Sequence, residues 1–140
     1  MWLIDTSHLI ALFSTKDHFH LRAQALQQRI EQERIPLLIT EQVIYELGAA
    51  FSRVAMRQTG SRIIHALMQD PRIEVVQASS QNKQAAIDLF TKHDDKDWSL
   101  CDCLSFVVMR EQGLMHALSA DHHFVQAGFS ALLLESALEQ

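Results

Sequence analysis

In the stretch LLITEQVIYEL, residues 37–47, an apolar run passes directly into a helical pattern. Leu37–Ile39 has the length and composition of a strand that is buried on both faces. Thr40 offers a side-chain oxygen as the N-cap of a helix that is predicted to run to about Gln58, with Gly60 placed to end it. Such a strand-to-helix step is typical of a parallel sheet, because parallel strands need a crossover connection.

The same alternation of short apolar strands and amphipathic helices extends over the whole chain. Further strands are predicted at residues 2–4, 73–76, 115–118 and 131–134. Further helices are predicted at residues 6–13, 18–34, 61–68, 81–92 and 100–112. No Asn-Gly or Asp-Gly hairpin turn interrupts this pattern. The sequence therefore predicts an α/β fold, in which a three-layer α/β/α arrangement surrounds a central parallel sheet of about five strands, in a single domain over residues 1–140.

Composition and charge limit the class of protein. The 140 residues include 12 Lys and Arg against 17 Asp and Glu, for a net charge of −5. This acidic balance argues against a general nucleic-acid-binding protein, since phosphate contacts normally come from a basic surface. It is compatible with an enzyme whose acidic site binds cations. The N-terminus lacks a signal-peptide pattern and no apolar run reaches membrane-spanning length, so we expect a cytoplasmic protein without membrane association.

The two cysteines, Cys101 and Cys103, are separated by a single residue. A disulfide between them would be strained, and a cytoplasmic setting disfavours it. On a helix their side chains point to nearly opposite faces, so that they cannot share a metal ion. Both are therefore predicted to be small buried apolar side chains.

Acidic residues follow two of the predicted strands. Asp5 ends the first strand, and Asp121 follows the fourth. Ligands of an open parallel sheet bind at the carboxyl ends of its strands, so these two carboxylates are predicted to meet at one edge. The alternative for each residue is a helix N-cap, a role that Asp fills well. Taken singly, each residue fits that alternative at least as well.

Asp102 lies in a segment that is apolar on every side. An ionised carboxylate in such a helix is unfavourable unless a cation or strong hydrogen bonds compensate it. The alternative is a capping box, in which Ser99 is the N-cap and Asp102 bonds back to its amide. Because that box prefers Glu or Gln at the third position, we favour a functional role for Asp102.

Glu46 lies in the helix that follows the second strand, beside its apolar face. On a helical projection, Glu46, Arg53 and Arg57 fall on one narrow stripe. Considered alone, Glu46 is more commonly an exposed side chain on a solvated surface. In the functional interpretation it leans toward the strand ends, and Arg53 and Arg57 are available for phosphate groups.

Together the four acids favour a metal site. Converging carboxylates repel one another and shift to the protonated form unless a divalent metal ion holds them. All-oxygen ligation suits Mg²⁺ or Mn²⁺ rather than zinc. Such a site hydrolyses phosphodiester bonds by activating water and stabilising charge on the reacting oxygens. The adjacent pair His122 and His123 is predicted to lie on the surface or to contact substrate.

The order and spacing of these segments resemble the PIN-domain family. The matching segments are LIDTS at 3–7, TEQVIYEL at 40–47, WSLCDCLSF at 98–106 and SADHHF at 119–124. The resemblance implies a sheet of about five parallel strands with helices on both sides, and a ribonuclease that depends on Mg²⁺ or Mn²⁺. It implies catalytic and metal-binding roles for Asp5, Glu46, Asp102 and Asp121, with Ser7 and Ser119 as hydroxyls that orient them. Cys101 stands where Thr is usual, which is expected to remove a hydrogen bond near Asp102.

Many single-domain chains of this length resemble the VapC toxins of toxin–antitoxin pairs. Those proteins cut RNA, are silenced by a small partner protein and often form homodimers. The resemblance therefore implies an RNA substrate, and it makes a small antitoxin protein and a homodimer the expected partners. No motif in the chain specifies an antitoxin. The open alternative is a catalytically silent PIN-like module that binds metal or RNA without a toxin role.

Overall fold

The sheet has five strands in the computed structural model, which describes residues 1–135. The strands are β1 (Trp2–Ile4), β2 (Leu37–Thr40), β3 (Ile73–Val76), β4 (His116–Leu118) and β5 (Ser130–Ala131). Their order in the sheet is β3-β2-β1-β4-β5, and every neighbouring pair is parallel. In the centre, Leu3 lies opposite Leu38 on one side and Ala117 on the other. The prediction of a parallel sheet of about five strands is confirmed.

Helices cover both faces of this sheet. Within the described residues they are α1 (Thr6–Phe13), α2 (His20–Glu33), α3 (Glu41–Ala50), α4 (Val54–Gln69), α5 (Ser80–Lys92), α6 (Leu100–Gln112) and α7 (His122–Gln126). Because strand side chains alternate between faces, Trp2 and Ile4 join an apolar cluster with α1–α4, and Leu3 joins a second cluster with α5–α7. The three-layer arrangement is therefore confirmed. None of these helices combines the length and hydropathy that a bilayer crossing requires.

Strand order reverses between β1 and β4. The chain passes from β1 to β2 and β3 on one side of the sheet, and β4 and β5 lie on the other side of β1. A crevice at the carboxyl ends of the strands is expected at such a switch point. Asp5 directly follows β1, and its amide donates to the carbonyl oxygen of Leu118 in β4 at 3.1 Å. The fold thus places Asp5 at the position where ligands bind in open parallel sheets.

The helix predicted from Thr40 to about Gln58 is in fact two helices. Thr40 does cap the first, because its hydroxyl accepts from the amide of Val43 at 3.3 Å. However, α3 ends at Ala50 and α4 begins at Val54. Gly60 lies inside α4, so the prediction that it ends a helix is wrong. The physical reason is close packing, because a Cβ at Gly60 would lie 2.5 Å from the Cβ of Phe51.

The remaining boundaries differ from the predictions by smaller amounts. The helix predicted at 61–68 is the second half of α4, and the strand predicted at 131–134 is the shorter β5. The five-residue helix α7 was not predicted as an element. Gly113 ends α6 as predicted, in a left-handed conformation with φ of 69° that favours glycine.

Candidate active site

Two serine hydroxyls hold the carboxylate of Asp5. Ser7 and Ser119 donate to the same oxygen, Oδ2, at 2.9 and 2.8 Å. Each serine oxygen also accepts from a backbone amide after β4, Ser7 from Ala120 at 2.9 Å and Ser119 from Asp121 at 3.0 Å. Asp5 stands at the N-cap position of α1, but its side chain makes no cap hydrogen bond. The side chain of Asp5 is therefore held by the two serines and not by a capping interaction with α1.

The carboxyl of Asp5 is buried, with an exposed fraction of 8%. Burial raises its pKa to about 6, against the lowering effect of the hydrogen bonds from Ser119 and Ser7. The nearby charge of Asp102 raises the pKa further by a smaller amount. A bound cation would favour the ionised form of this carboxyl and lower its pKa again.

Asp102 forms the capping box that the sequence analysis disfavoured. Its amide donates to the Ser99 hydroxyl at 2.9 Å, and its Oδ2 accepts from the Ser99 amide at 3.0 Å. The Asp side chain is shorter than that of Glu or Gln, but it still reaches the Ser99 amide. The general preference of the capping box for Glu or Gln therefore did not predict this contact. The box uses only Oδ2 of the carboxylate. The capping role and a role beside Asp5 are therefore compatible.

Asp121 likewise caps a helix. Its Oδ1 accepts from the amide of His123 at 2.9 Å, at the start of α7. The side chain remains 30% exposed, which leaves it open to solvent and to ligands. Both alternatives that the sequence analysis left open for Asp121 therefore remain compatible with its position.

The imidazole of His123 lies between two of the acids. Its Nδ1 is 3.1 Å from Oδ1 of Asp121 and 3.3 Å from Oδ2 of Asp102. That nitrogen is buried, and neither contact has the geometry of a hydrogen bond. Ligand atoms of Asp121, His122 and His123 all lie within 4.8 Å of one another.

His123 was predicted to lie on the surface or to contact substrate. Its side chain is only 16% exposed, so it is not a surface residue, and the substrate contact stays a prediction. A helix predicted to begin after Asp121 would have indicated that His123 lies next to Asp121. In the first turn of such a helix, the cap residue and the residue two positions later are neighbours. His122 is exposed, as predicted.

Glu46 reaches the site from α3. The thiol of Cys101 lies 2.7 Å from its Oε1 and donates to it, and the hydroxyl of Thr6 lies 3.4 Å from the same oxygen. Burial, and then the contact with Glu46, raises the pKa of the Cys101 thiol, so that the thiol stays protonated as a donor. The thiol of Cys101 therefore donates to Glu46, whereas the expected change was a lost hydrogen bond near Asp102. The prediction of a buried apolar side chain is wrong for Cys101, which is half-buried and makes this polar contact. Cys103 is buried, as predicted.

Arg53 and Arg57 do not share a helix with Glu46, because α3 ends before them. Arg53 stands at the N-cap position of α4. The guanidinium of Arg57 donates to the carbonyl oxygen of Ser52 at 2.9 and 3.2 Å, which satisfies the backbone after α3. The stripe that suggested phosphate contacts is therefore absent, and those contacts stay a prediction.

The donor set of this site fits a divalent metal ion. Its four acids offer carboxylate oxygens, which suit Mg²⁺ or Mn²⁺. Among the described residues, however, the ligand atoms that lie within 4.8 Å of one another belong to Asp121, His122 and His123, and Asp5, Glu46 and Asp102 lie outside that group. In residues 1–135, the ion pairs of Lys and Arg all involve other acids than Asp5, Glu46, Asp102 and Asp121. The buried Nδ1 of His123 also lacks a hydrogen-bond partner there. A cation would satisfy both features.

Known proteins resemble this chain over nearly its whole length. A relative that is 27% identical over 132 residues, 92% of this chain and 95% of its own, is the 23S rRNA-specific endonuclease VapC20 of Mycobacterium tuberculosis, in strains CDC 1551 and H37Rv. The crystal structure of Mycobacterium tuberculosis VapC20, a sarcin-ricin loop cleaving toxin, matches with a TM-score of 0.82 and 23% identity, over 94% of this chain and 98% of that chain. This likeness shows the fold. Residues 2–130 match the PIN domain itself. The chain therefore belongs to the PIN-domain family, whose nucleases depend on divalent metal ions.

Proposed function

We propose that the chain is an endoribonuclease that hydrolyses RNA phosphodiester bonds with Mg²⁺ or Mn²⁺. Asp5, Glu46, Asp102 and Asp121 would hold the metal ion. The observation that carries the proposal is the buried carboxyl of Asp5, oriented by two serines and close enough to Asp102 for the two charges to interact. Such an arrangement is electrostatically unfavourable without a cation, and it supplies oriented oxygen ligands to one.

Each residue of the site has a distinct task in this reaction. When bound, the metal ion lowers the pKa of a water molecule and stabilises charge on the phosphate oxygens. Ser7 and Ser119 fix Asp5, so the carboxylate needs little rearrangement when RNA arrives. Cys101 orients Glu46 through its thiol. The ring of His123 lies between Asp102 and Asp121, with its Nδ1 3.3 and 3.1 Å from their carboxylate oxygens.

The kind of substrate and partner follows from the relatives. RNA is proposed because the 27% identical relative is named as an endonuclease specific for 23S rRNA. By the same likeness, we propose that the chain is the toxin of a toxin–antitoxin pair. It would act in the cytoplasm as a homodimer, and a small antitoxin protein would silence it.

Digestion of defined RNAs by the purified protein tests the activity. We expect cleavage with Mg²⁺ or Mn²⁺, none with EDTA, and recovery when excess Mn²⁺ is restored. The melting temperature should rise with Mn²⁺ in parallel, because a ligand of the native state stabilises it. A rise in melting temperature without any RNA cleavage would contradict the proposal and favour the catalytically silent module.

Metal affinity should depend on pH through Asp5. With its pKa raised to about 6, Asp5 is protonated in the metal-free protein at lower pH, and metal binding must then displace that proton. The Mn²⁺ affinity is expected to be nearly constant above pH 7 and to fall about tenfold by pH 5. Isothermal titration calorimetry at several pH values measures this.

Ser119→Ala is the matched variant for this measurement. It removes a hydrogen bond that lowers the pKa of Asp5, so the fall in affinity should begin at a higher pH than in the unmodified protein. Equal Mn²⁺ affinity at pH 5 and pH 7 in the unmodified protein would remove Asp5 from the ligand set.

A further inference from the structure

A cavity of about 380 Å³ lies beside the acidic site, between the first turns of α3, α5 and α6. Its walls include Gln42, Ala78, Lys83, Leu100, Cys101 and Leu104. Its volume falls within the range of roughly 300–1,000 Å³ that is typical of small-molecule sites. Cys101 lines the cavity and also contacts Glu46 at 2.7 Å. The cavity and the carboxylates of the site therefore share a wall.

Gln42 lines this cavity, and its side-chain amide has a hydrogen-bonding atom without a partner. Its Oε1 is buried and accepts no hydrogen bond from the described residues. A buried acceptor without a partner is unfavourable, and an N–H donor on a ligand would satisfy it once the amide turns toward the cavity. Gln side chains recognise nucleobases in this manner, because the amide offers an acceptor and a donor side by side.

Lys83 gives the cavity a positive charge. It lies in the first turn of α5, it is exposed, and it pairs with no acid in the described part of the chain. The chain carries a net charge of −5, so a cation next to an acidic centre is a local exception. An ammonium group at such a position attracts phosphate.

We propose that this cavity binds one unpaired nucleobase of the RNA, next to the bond that the acidic site cleaves. Gln42 hydrogen-bonds to the edge of the base, Ala78, Leu100 and Leu104 contact its faces, and Lys83 contacts a phosphate. The proposal rests on the endoribonuclease function proposed above. Proteins that read RNA sequence commonly bind unstacked bases of single-stranded loops in this way. An apolar side chain of an inhibitor protein would leave the Gln42 acceptor unsatisfied and Lys83 unused, so a nucleotide fits better.

Nucleoside monophosphates test the cavity without requiring catalysis. AMP, GMP, CMP and UMP are titrated separately into the protein in EDTA, and binding is followed in ¹H–¹⁵N spectra. We expect the four affinities to differ, with the largest shifts at the Gln42 side-chain amide and in residues 79–83. Lys83→Gln should weaken all four by about tenfold, as expected for one lost charge-assisted contact. Lys92→Gln, at the other end of α5, is the matched control and should change nothing.

Two further variants address the base itself. Ala78→Trp fills the cavity and should abolish binding of all four nucleotides. Gln42→Leu should weaken binding of the tightest nucleotide about tenfold and make the affinities for the four bases similar. Ribose 5-phosphate, which lacks a base, should bind more weakly than the best nucleotide.

Equal binding of ribose 5-phosphate, shifts outside the cavity, or no binding of any nucleotide would overturn the proposal. RNA cleavage whose site preference survives in Gln42→Leu would overturn it as well, and would leave the cavity to an inhibitor protein. Because the titrations contain EDTA, nucleotide binding without RNA cleavage would mark a failure of the endoribonuclease proposal alone.

Discussion

Asp5→Asn is expected to abolish RNA cleavage and, in metal-free buffer at pH 7, to raise the melting temperature of the protein. Cleavage should fall by at least about 10²–10³-fold, as for other preorganised polar groups at a reaction centre. The rise in stability follows from the pKa of about 6. The usual pKa of an Asp carboxyl is 3.8. At neutral pH, the ionised carboxyl of Asp5 therefore lowers the free energy of unfolding by about 3 kcal/mol, compared with a carboxyl whose pKa does not change on folding.

The amide of Asn removes the charge and keeps an oxygen that can accept from Ser7 and Ser119. Burial of the new amide also costs free energy, which offsets part of the 3 kcal/mol. We therefore expect a net stabilisation of about 1–2 kcal/mol and a melting temperature that is higher by several degrees. Calorimetry in EDTA and a gel-based RNA digest measure the two effects. Cleavage should fall while the melting temperature rises. This combination indicates the loss of a metal-binding side chain, because a damaged fold would lower both activity and melting temperature.

Asp94→Asn is the matched control, because Asp94 is an exposed acid in the loop after α5. Both its RNA cleavage and its melting temperature should equal those of the unmodified protein. Addition of Mn²⁺ should raise the melting temperature of the control and leave that of Asp5→Asn nearly unchanged. Continued cleavage by Asp5→Asn would show that Asp5 is not part of the reaction centre.

Gly60→Ala should destabilise the protein by about 2–3 kcal/mol, even though Ala favours helices over Gly by about 1 kcal/mol. The new Cβ would lie 2.5 Å from the Cβ of Phe51 and 3.4 Å from its Cγ. Neither Cβ can move without its backbone, and Phe51 is itself buried, so α3 and α4 must separate. A fall in melting temperature of about 5–10 °C is expected.

Gly48→Ala is the matched control for this effect. Gly48 is also helical, but a Cβ there meets only Cδ1 of Ile64, at the ordinary contact distance of 3.7 Å. This variant should gain about 0.5–1 kcal/mol from the helix propensity of Ala. Urea denaturation of both variants measures the two free energies. Equal changes in the two would show that the contact of Gly60 with Phe51 does not limit the packing of α3 on α4.

The sequence predicted best those elements whose signals are local. The strands β1 and β3 have the predicted ends, because each is a short segment rich in apolar residues that stops before a polar residue, Asp5 or Gln77. The helix α6 also has the predicted ends, since Ser99 caps its start and Gly113 adopts the left-handed conformation at its end. The break between α3 and α4 could not be predicted in this way. It contains no Pro or Gly, and it depends on the tertiary contact between Phe51 and Gly60.

The same distinction holds within the site. Asp5 at the central edge of the sheet followed from the rule about strand ends, and the nearby charge of Asp102 adds a small upward shift to its pKa. The thiol of Cys101 on Glu46 and the ring of His123 between two acids did not follow. The contacts of Cys101 with Glu46 and of His123 with Asp102 depend on how helices that are distant in sequence lie against each other. The metal-binding roles themselves remain predictions for the experiments above.

The serine bridge across the ends of β1 and β4 is also a joint of the scaffold. Those strands pair over only two positions, and the hydroxyls of Ser7 and Ser119 extend the junction to Ala120 and Asp121. Loss of either hydroxyl would loosen this seam whether or not the protein still performs chemistry. A related protein without catalytic activity would therefore still need both serines for the stability of its fold. Their presence in a distant homologue indicates the shared fold more directly than it indicates a shared activity.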